Sequence, residues 1–369
     1  MRVLMISKAF VVGMYQRKLE ELARFPDMEL SLAVPPCWKE KGKILSLEKM
    51  YTSGYQLYVL PIVFNGHFHV HFYRGLDVLV HRVRPHILHI DEEPYNLATF
   101  QAMHIAQKSK SKALFFTWQN LLRRYPFPFS LIERYNLQHA ACAIAGNQEA
   151  RDVLRAKGYD RTIYVLPQFG VDPDLYRRME WIPRQDAAFV IGYAGRLVEE
   201  KGVHILLRAV AELPGNWRLH IIGDGPYLPT LKSLTKTLGI EQRVTFQPSV
   251  PSREMPYRLN SLNVLVLPSL TRRNWKEQFG RVLVEAMACE VPVIGSSSGE
   301  IPHVIGEAGL VFPEGQTEAL RDALLKLMSD PGLCVELGQR GRTRVLEYYT
   351  QQRIAAKTYA IYQQLLTAY

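Results

Sequence analysis

Short apolar runs alternate with amphipathic stretches twice along this chain. In the first half, runs typical of buried strands lie at residues 3–6, 30–34, 57–60, 87–90, 113–116 and 141–145. Helical patterns, for example at residues 14–23 and 75–83, separate several of these runs. Buried strands that are joined through helices predict a parallel sheet, because parallel strands need a long crossover connection. The first half is therefore predicted to be a doubly wound α/β domain.

The same alternation restarts after a stretch at residues 166–185 that contains prolines and charges. Strands of a second sheet are predicted at residues 189–194, 219–222, 244–246, 264–267 and 291–294. The final segment has apolar or aromatic residues at helical spacing and predicts a long helix packed against the body. We therefore expect one domain at residues 1–170, a second at 171–349 and a C-terminal helix at 350–369 of this 369-residue chain.

The first strand of the second half runs into a turn that combines glycine with charge. Its sequence is Gly195-Arg196-Leu197-Val198-Glu199-Glu200-Lys201-Gly202, and a helical pattern follows it. Gly195 would let the backbone approach a ligand closely. Arg196 and Lys201 have the charge needed to neutralise a diphosphate. The segment is interpreted either as a phosphate site or, taken alone, as a solvated turn.

Two glutamates eight residues apart form the next feature, within the segment Glu277-Gln278-Phe279-Gly280 and onwards to Glu285. On one continuous helix their side chains would differ in direction by about 80°. Glu277 is therefore expected in the loop before a helix that begins near Gly280. The free N–H groups of that helix would face an anion, with Glu285 one to two turns in. One carboxylate would suit sugar hydroxyls and the other a ribose diol, whereas an isolated pair would be interpreted as solvated glutamates.

The order of these motifs resembles a known enzyme family. GRxxxxKG is followed by Gly223-Asp224-Gly225-Pro226, Pro268-Ser269, the E-x7-E pair and Ser298-Gly299-Glu300-Ile301-Pro302. This succession looks like the retaining nucleotide-sugar glycosyltransferases of family 4, specifically so through residues 165–349 and more weakly before them. The resemblance implies the α/β GT-B fold, in which two Rossmann-like doubly wound domains face a central cleft. It also implies that the second domain binds the donor, the first binds the acceptor, and the C-terminal helix packs back on the first.

The resemblance also implies roles for individual residues. Arg196 and Lys201 would bind the donor diphosphate, Glu285 the ribose and Glu277 the transferred sugar. The other residues expected at the donor are Gly13, Gly195, Gly225, Phe279 and Gly280. No metal or other cofactor is implied, because protein cations would do the electrostatic work.

The first half departs from the family's pattern at two places. Members commonly carry a glycine pair after the first strand, where this chain has Val11-Val12-Gly13-Met14, so Gly13 alone is the candidate for close approach. They also commonly carry a histidine after an apolar strand, at the position where Gln119 stands here, beside Asn120. An amide can hydrogen-bond a sugar hydroxyl but cannot titrate. Gln119 and Asn120 are therefore candidates for sugar or acceptor binding only.

Further acceptor candidates lie in Asp91-Glu92-Glu93-Pro94, at the carboxyl end of a predicted strand, where Glu92 and Glu93 would reach a ligand or form a solvated acidic turn. Arg272 and Arg273 precede Glu277 closely and suit the carboxylate of a uronic acid donor. Alternatively, these arginines point to solvent or bind the acceptor. His67 and His71 would share a face if that segment were helical, but no partnered Cys/His cluster supports a metal there.

Charge and composition bound the remaining expectations. The net charge of +10 belongs mostly to residues 1–165, which hold 22 Lys/Arg against 14 Asp/Glu. Within them, the segment 121–129 mixes cations with aromatics, which suits either an anionic membrane surface or core packing. No dense basic block favours nucleic acid. The four scattered cysteines, the lack of a signal-peptide core and the lack of an 18-residue apolar run predict a cytoplasmic protein, peripheral at most on the inner face of the membrane.

These expectations combine into one function with alternatives. We expect a metal-independent, retaining glycosyltransferase of hexosyl type that takes a nucleotide-sugar, with UDP-glucuronate or UDP-glucose favoured. Its acceptor would be a saccharide or a lipid-linked saccharide in polysaccharide or glycolipid assembly. A nucleotide-sugar epimerase and a non-catalytic nucleotide-sugar-binding protein remain alternatives. A dinucleotide-dependent dehydrogenase is disfavoured, because no GxGxxG follows the strand at residues 3–6.

Overall fold

The computed structural model describes residues 1–40, 43–179 and 188–367. Residues 180–187, which include the last part of the predicted stretch at 166–185, and residues 368–369 of the predicted terminal helix lie outside the described residues. The chain divides into two units. Unit 1 comprises Met1–Gly170 with Gln351–Tyr369, and unit 2 comprises Val171–Thr350.

Unit 1 is an α/β structure. Its strands are β1 (Arg2–Ile6), β2 (Glu29–Val34), β3 (Cys37–Glu40), β4 (Lys43–Ser46), β5 (Gln56–Val59), β6 (Ile62–Val63), β7 (Phe72–Tyr73), β8 (Ile87–Ile90), β9 (Lys112–Thr117), β10 (Cys142–Ala145) and β11 (Ile163–Val165). Its helices are α1 (Arg17–Ala23), α2 (Leu76–Val83), α3 (Leu97–Ser109), α4 (Phe129–His139), α5 (Gln148–Ala156) and the C-terminal α13 (Gln351–Thr367). Short 3-10 turns lie at Ala9–Val11 and Gly13–Gln16.

The main sheet of unit 1 is parallel and has a reversal of strand order at its centre. The described strands pair in the order β11-β10-β9-β8-β1-β2-β5. The chain therefore winds outwards from β1 in one direction and, from β8, in the other. Ligands of doubly wound sheets bind beyond the carboxyl ends of the strands at such a switch point. For unit 1 that place is the pair of loops that follow β1 and β8.

Helix α13 completes the core of unit 1. Its buried Ile354, Ile361 and Tyr362 pack in the same apolar cluster as the α1 residues Leu19 and Leu22. The Tyr362 hydroxyl lies 2.6 Å from Nδ1 of the buried His89 in β8. The expected return of the C-terminal helix to the first domain is thereby confirmed.

Unit 2 is a second α/β structure. Its strands are β12 (Phe189–Ala194), β13 (Trp217–Ile222), β14 (Val244–Gln247), β15 (Val264–Leu267), β16 (Val293–Ser296) and β17 (Leu310–Phe312). Its helices are α6 (Val203–Ala211), α7 (Leu228–Thr237), α8 (Met255–Asn260), α9 (Arg281–Ala288), α10 (Ile301–Ile305), α11 (Thr317–Ser329) and α12 (Pro331–Tyr348), and 3-10 turns lie at Glu199–Lys201 and Glu241–Arg243. The described strands form one parallel sheet in the order β14-β13-β12-β15-β16-β17. The switch point of unit 2 lies between β12 and β15.

The predicted doubly wound class is confirmed for both units, and the structure differs locally from the sequence patterns. Strand β16 starts at Val293, two residues later than predicted, because Pro292 has no N–H for the ladder; its carbonyl accepts from the Leu265 N–H at 2.9 Å instead. Residues 67–71 form turns, so His67 and His71 share no helix face. The hairpin of β3 and β4 was missed, because β4 is wholly exposed and carries no buried alternation.

No helix within the described ranges has both the length and the apolar character needed to cross a membrane.

Candidate functional site

Two loops meet tightly at the switch point of unit 2. Gly202, just before α6, has a φ of +67°, and a Cβ on it would lie 1.9 Å from the carbonyl oxygen of Pro268, which follows β15. Only glycine fits this close approach in the left-handed backbone region. The Leu270 N–H also donates to the Glu200 carbonyl at 2.8 Å. The GRxxxxKG turn is thus fastened to the loop that leads into Glu277.

Lys201 and Glu277 form a shielded ion pair at this junction. Lys201 Nζ lies 2.6 Å from Glu277 Oε2, and the Ser269 hydroxyl donates to the same oxygen at 2.8 Å. The Lys201 side chain is 15% exposed and Glu277 is buried. The Trp275 ring lies over the ammonium, 4.9 Å from its centroid. The structure therefore brings together two residues that are 76 positions apart and were predicted to act on neighbouring parts of one donor.

The backbone of Glu277 is fixed as firmly as its side chain. Its carbonyl accepts from the Glu300 N–H at 3.1 Å, and a Cβ on Gly299 would lie 2.0 Å from the same oxygen. The segment that contains Gly299 and Glu300 therefore packs against the backbone of Glu277. This contact gives a physical reason for the glycine in that motif.

The loop after β13 packs on the GRxxxxKG turn as well. A Cβ on Gly225 would lie 2.1 Å from the Leu197 carbonyl oxygen, and the Leu197 N–H donates to the Asp224 carbonyl at 2.9 Å. A Cβ on Gly223 would likewise lie 1.9 Å from the Gly195 carbonyl oxygen. Gly195 and Gly225 therefore pack loop against loop at the edge of the sheet.

Arg196 is the more accessible cation of the turn. Its side chain is 47% exposed and its guanidinium lies 3.7 Å from Glu200. The backbone beneath it is fixed, since the Tyr193 hydroxyl donates to the Arg196 carbonyl at 2.8 Å. A loose surface pair on a fixed backbone leaves the guanidinium able to reorient towards an anion at little cost.

Helix α9 begins at Arg281 after Gly280, as expected. Glu285 is buried one turn in, with Arg281 Nε 2.8 Å from its Oε1. Burial raises the pKa of Glu285, and Arg281 opposes that change. Phe279 contacts Tyr349 edge-on, at 5.8 Å between ring centroids. Glu285 is thus a carboxylate in a poorly solvated position, with one neighbouring cation.

The two arginines proposed for a uronate lie on an exposed turn. The backbones of Arg272 and Trp275 pair as a bridge, and the Arg272 guanidinium lies 2.8 Å from Glu199. Arg273 is exposed at the tip. Arg272 therefore already has a carboxylate partner on the GRxxxxKG turn, whereas Arg273 extends from the next position.

The switch point of unit 1 holds a second polar cluster. The Ser7 hydroxyl, after β1, donates to Asp91 Oδ2 at 2.6 Å, and Lys8 pairs with Glu92. The Gln168 amide donates to the same Asp91 oxygen at 2.8 Å. A cavity of about 520 Å³ opens here, and Asp91, Glu92 and Glu93 line it.

The three carboxyl groups differ in their electrostatic state. Glu93 accepts from the Thr117 hydroxyl at 2.6 Å and from the Trp118 N–H at 2.8 Å, yet burial raises its pKa to about 7. For Glu92, burial is outweighed by Lys8 and then His71, which together lower its pKa to about 2. The cluster therefore combines one carboxyl group with a lowered pKa, Glu92, and two whose pKa burial raises, Asp91 and Glu93.

Gln119, Asn120 and Gly13, which were predicted to bind a ligand, make contacts with other residues of unit 1. Gln119 accepts from Lys157 Nζ at 3.0 Å and Asn120 donates to Glu149 at 3.1 Å; neither is among the described residues that line the 520 Å³ cavity. The Gly13 N–H donates to Glu48 at 2.7 Å, and a Cβ on Gly13 would lie 2.5 Å from Met50 Cγ. In this structure the close approach at Gly13 is made by the chain itself.

Sequence reasoning missed the partners that hold Asp91. Lys18 is buried, its Nζ donates to the Gln168 carbonyl at 3.0 Å, and burial lowers its pKa to about 8 while Asp91 opposes the change. The position of Asp91 directly after a predicted strand was a usable signal for the residue itself. Nothing in the sequence links Lys18 or Gln168 to it, since these positions are 73 and 77 residues away. Within the described residues, no group of three His, Cys, Asp or Glu side chains is arranged to hold a metal ion.

Comparison with known proteins finds a family model that matches most of unit 2. Residues 179–344 match the family model described as "Glycosyl transferases group 1". A GDP-mannose-dependent alpha-(1-6)-phosphatidylinositol monomannoside mannosyltransferase from Mycolicibacterium smegmatis is 33% identical over 187 residues, which are 49% of each chain. A 2-deoxystreptamine glucosyltransferase from Streptomyces kanamyceticus is 28% identical over 254 residues, 64% of this chain and 63% of that one. The match covers less than two thirds of each of these relatives.

Solved structures show the same fold over the whole chain. Sucrose-phosphate synthase from Thermosynechococcus elongatus superimposes with a TM-score of 0.75 at 19% identity, covering 100% of both chains. Anabaena HepE in complex with UDP gives a TM-score of 0.75 at 17% identity, covering 99% of this chain and 100% of that one. The two Rossmann-like units therefore have the GT-B fold.

Proposed function

Since residues 179–344 match the family model of the group 1 glycosyltransferases, we propose that this chain is a retaining glycosyltransferase that acts on a nucleotide-sugar. Its acceptor is a saccharide or lipid-linked saccharide in polysaccharide or glycolipid assembly. The observation that carries the proposal is the Lys201–Glu277 pair at the unit 2 switch point, with Arg196 exposed on the same turn. An ammonium and a guanidinium suit a diphosphate, and the adjacent carboxylate suits sugar hydroxyls.

The proposed chemistry needs no protein nucleophile. The bond between the sugar's anomeric carbon and the diphosphate oxygen breaks through an oxocarbenium-like state, and the diphosphate leaves with the electron pair. The acceptor hydroxyl attacks from the same face and passes its proton to the departing diphosphate. Arg196 and Lys201 stabilise the charge that grows on the diphosphate, which is the place where a preorganised cation accelerates the reaction most.

We propose a UDP-sugar as the donor and a uronate among the sugars. HepE was solved with UDP, whereas the mycobacterial relative uses GDP-mannose. The test is turnover on a panel of UDP-, GDP- and ADP-sugars, with UDP-glucuronate against UDP-glucose as a matched pair. We expect transfer with UDP donors, preference for the uronate, and a preference reduced by Arg273→Ala. Equal turnover of both UDP donors would contradict the uronate proposal.

The same assay separates the alternative functions. A nucleotide-sugar epimerase would convert the donor without an acceptor, and a binding protein would show no turnover with any donor. Activity is expected to survive EDTA, because Arg196 and Lys201 supply the positive charge at the diphosphate. Loss of activity on chelation, restored by Mg²⁺ or Mn²⁺, would contradict the metal-independent mechanism.

Glu285→Ala is expected to raise the dissociation constant of the nucleotide about tenfold or more. A ribose contact exists in both the ground state and the transition state, so its loss weakens binding rather than the chemical step alone. Calorimetric titration of UDP and GDP measures the effect. Glu336→Ala, on the exposed side of α12, is the matched control. An unchanged affinity in Glu285→Ala would remove the ribose assignment.

We further propose that unit 1 associates peripherally with anionic membranes. Around α4, Leu122 is 64% exposed and Phe127 is 79% exposed. They adjoin Arg123 and Arg124, which line a cavity of about 860 Å³ together with Arg134, Lys157 and Arg161. Exposed apolar side chains beside a cluster of cations are typical of surfaces that bind lipid head groups.

Reversing the charge of that surface is expected to weaken membrane binding. Arg123→Glu with Arg124→Glu should cost about 1 kcal/mol per basic charge removed near the surface. Co-sedimentation with anionic and with neutral vesicles at low salt measures the loss. The control replaces Arg218 and Arg243 of unit 2 in the same way. If the unmodified protein does not bind anionic vesicles, the membrane proposal is wrong.

A further inference from the structure

The cavity at the unit 1 switch point has walls of two chemical kinds. One is aromatic, formed by Tyr15, Trp38, Phe68, Phe116 and Trp118, and the Lys8 ammonium lies over the Trp38 and Phe68 rings. The other is acidic, formed by Asp91, Glu92 and Glu93 at the end of β8. Cavities with apolar walls and a few convergent polar groups are the usual form of small-molecule sites. A ligand that fits both walls has an apolar face and a polar edge.

The cavity is more acidic than the rest of its unit. Residues 1–165 have an excess of eight basic side chains, with 22 Lys/Arg against 14 Asp/Glu. The cavity lining has four carboxyl groups, since Glu40 joins the three at β8, against Lys8 and Lys39, and the buried Lys18 also acts on Asp91. Lys8 is already paired with Glu92. Four carboxyl groups against three ammonium groups leave a small acidic excess in a basic unit, which favours a cationic ligand over an anionic one.

Asp91 has one oxygen satisfied and one without a donor. Oδ2 accepts from the Ser7 hydroxyl and the Gln168 amide, whereas Oδ1 has no hydrogen-bond partner in the described part of the chain. The residue is only 4% exposed. A buried carboxylate oxygen without a partner is costly, and an ordered or bound donor is its usual remedy.

The aromatic wall is held in a fixed relation to Asp91. The Trp118 ring packs against Gly146, where an added Cβ would lie 2.1 Å from the ring atom Cε3. The Trp118 Nε1 donates to Gln168 Oε1 at 3.0 Å. The Gln168 amide nitrogen then donates to Asp91. One glutamine therefore connects the indole to the carboxylate, so the apolar wall and the acidic group are preorganised together.

We propose that this cavity binds an amine-bearing polyhydroxylated ring, with the apolar ring face on the aromatic wall and the ammonium directed to Asp91. The inference rests on the proposed function in that this ring is the acceptor. It goes beyond that function by stating the acceptor's charge. Rings that carry phosphate or carboxylate are disfavoured by the same carboxylates that favour the amine.

Three probes with the same ring and different charges test the proposal. Glucosamine, methyl α-glucoside and glucose 6-phosphate are titrated into the full chain at pH 7 and low salt, with calorimetry and tryptophan fluorescence as readouts. Glucosamine is expected to bind at least about tenfold more tightly than glucose 6-phosphate, with the neutral ring between them. Equal or tighter binding of the phosphate, or no binding of any ring, would overturn the proposal.

Two variants assign the selectivity to the cavity. Asp91→Asn is expected to reduce the preference for the amine over the neutral ring by about fivefold or more, because it removes the charge and keeps the shape. Glu93→Gln provides the same test at the neighbouring carboxyl, should Asp91→Asn fold poorly. Asp77→Asn, on the exposed face of α2, removes the same charge outside the cavity and is expected to change nothing. An unaltered preference in both cavity variants would also overturn the proposal.

Nucleotide binding separates this inference from the proposed function. UDP and GDP are titrated into the same preparations by calorimetry without any sugar ring. Nucleotide binding with no ring selectivity would contradict the acceptor inference alone. Ring selectivity without nucleotide binding or transfer from any donor would contradict the proposed function and leave the cavity's charge preference established.

Discussion

Replacing Lys201 by alanine is expected to lower turnover by at least about 100-fold, the scale found when one preorganised charge donor is removed from a transition state. Arg196→Ala is expected to cause a loss of the same order. Steady-state transfer assays measure both. Lys232→Ala, on the exposed face of α7, removes an equal charge from unit 2 and serves as the control.

The structure adds a second consequence for Lys201 that Arg196 does not share. Lys201→Ala leaves the buried Glu277 carboxylate without its cation at 2.6 Å, and an unpaired buried charge destabilises a fold. Lys201→Ala combined with Glu277→Gln should therefore regain stability while activity stays low. Arg196→Ala should leave the thermal midpoint almost unchanged, because its pair with Glu200 is exposed. Near-normal rates in either single variant would contradict the diphosphate assignment.

Gly202→Ala is expected to destabilise unit 2 by about 4 kcal/mol, at the upper end of the effects of single substitutions. The new Cβ would lie 1.9 Å from the Pro268 carbonyl oxygen, and the residue would keep a φ of +67°. Backbone atoms cannot rotate away as a flexible side chain can, so the two loops at the switch point must separate. Thermal and urea unfolding of the full chain measure the loss.

Gly215→Ala is the matched control for that experiment. Its φ is +77°, but nothing lies within 4 Å of the added Cβ. It should therefore cost only the backbone strain, about 1 kcal/mol. The difference between the two variants isolates the contact between the loops. Equal destabilisation would show that Pro268 yields and that the junction is not tightly packed.

The architecture followed from local patterns in the sequence. Apolar runs of three to six residues between helical patterns predicted the strands, because a strand in a parallel sheet is buried on both faces. Strand β12 was predicted with the bounds the structure has, and α9 begins where the spacing of Glu277 and Glu285 placed it. The motif at residues 195–202 lies between the end of β12 and the start of α6, and the motif at 277–285 spans the start of α9; both are proposed segments of a donor site.

The sequence could not predict which segments contact one another. The ion pair of Lys201 with Glu277 and the fit of Gly202 against Pro268 depend on two loops that meet only because β12 and β15 are neighbours in the sheet. The acidic cavity of unit 1 likewise requires β1 beside β8, with Lys18 and Gln168 brought to Asp91. Short-range patterns record burial and turn chemistry, whereas strand order is decided by the packing of the whole sheet. The sequence by itself therefore determined the fold class and the segments proposed to carry the chemistry, and only the tertiary structure decided which of their side chains contact one another.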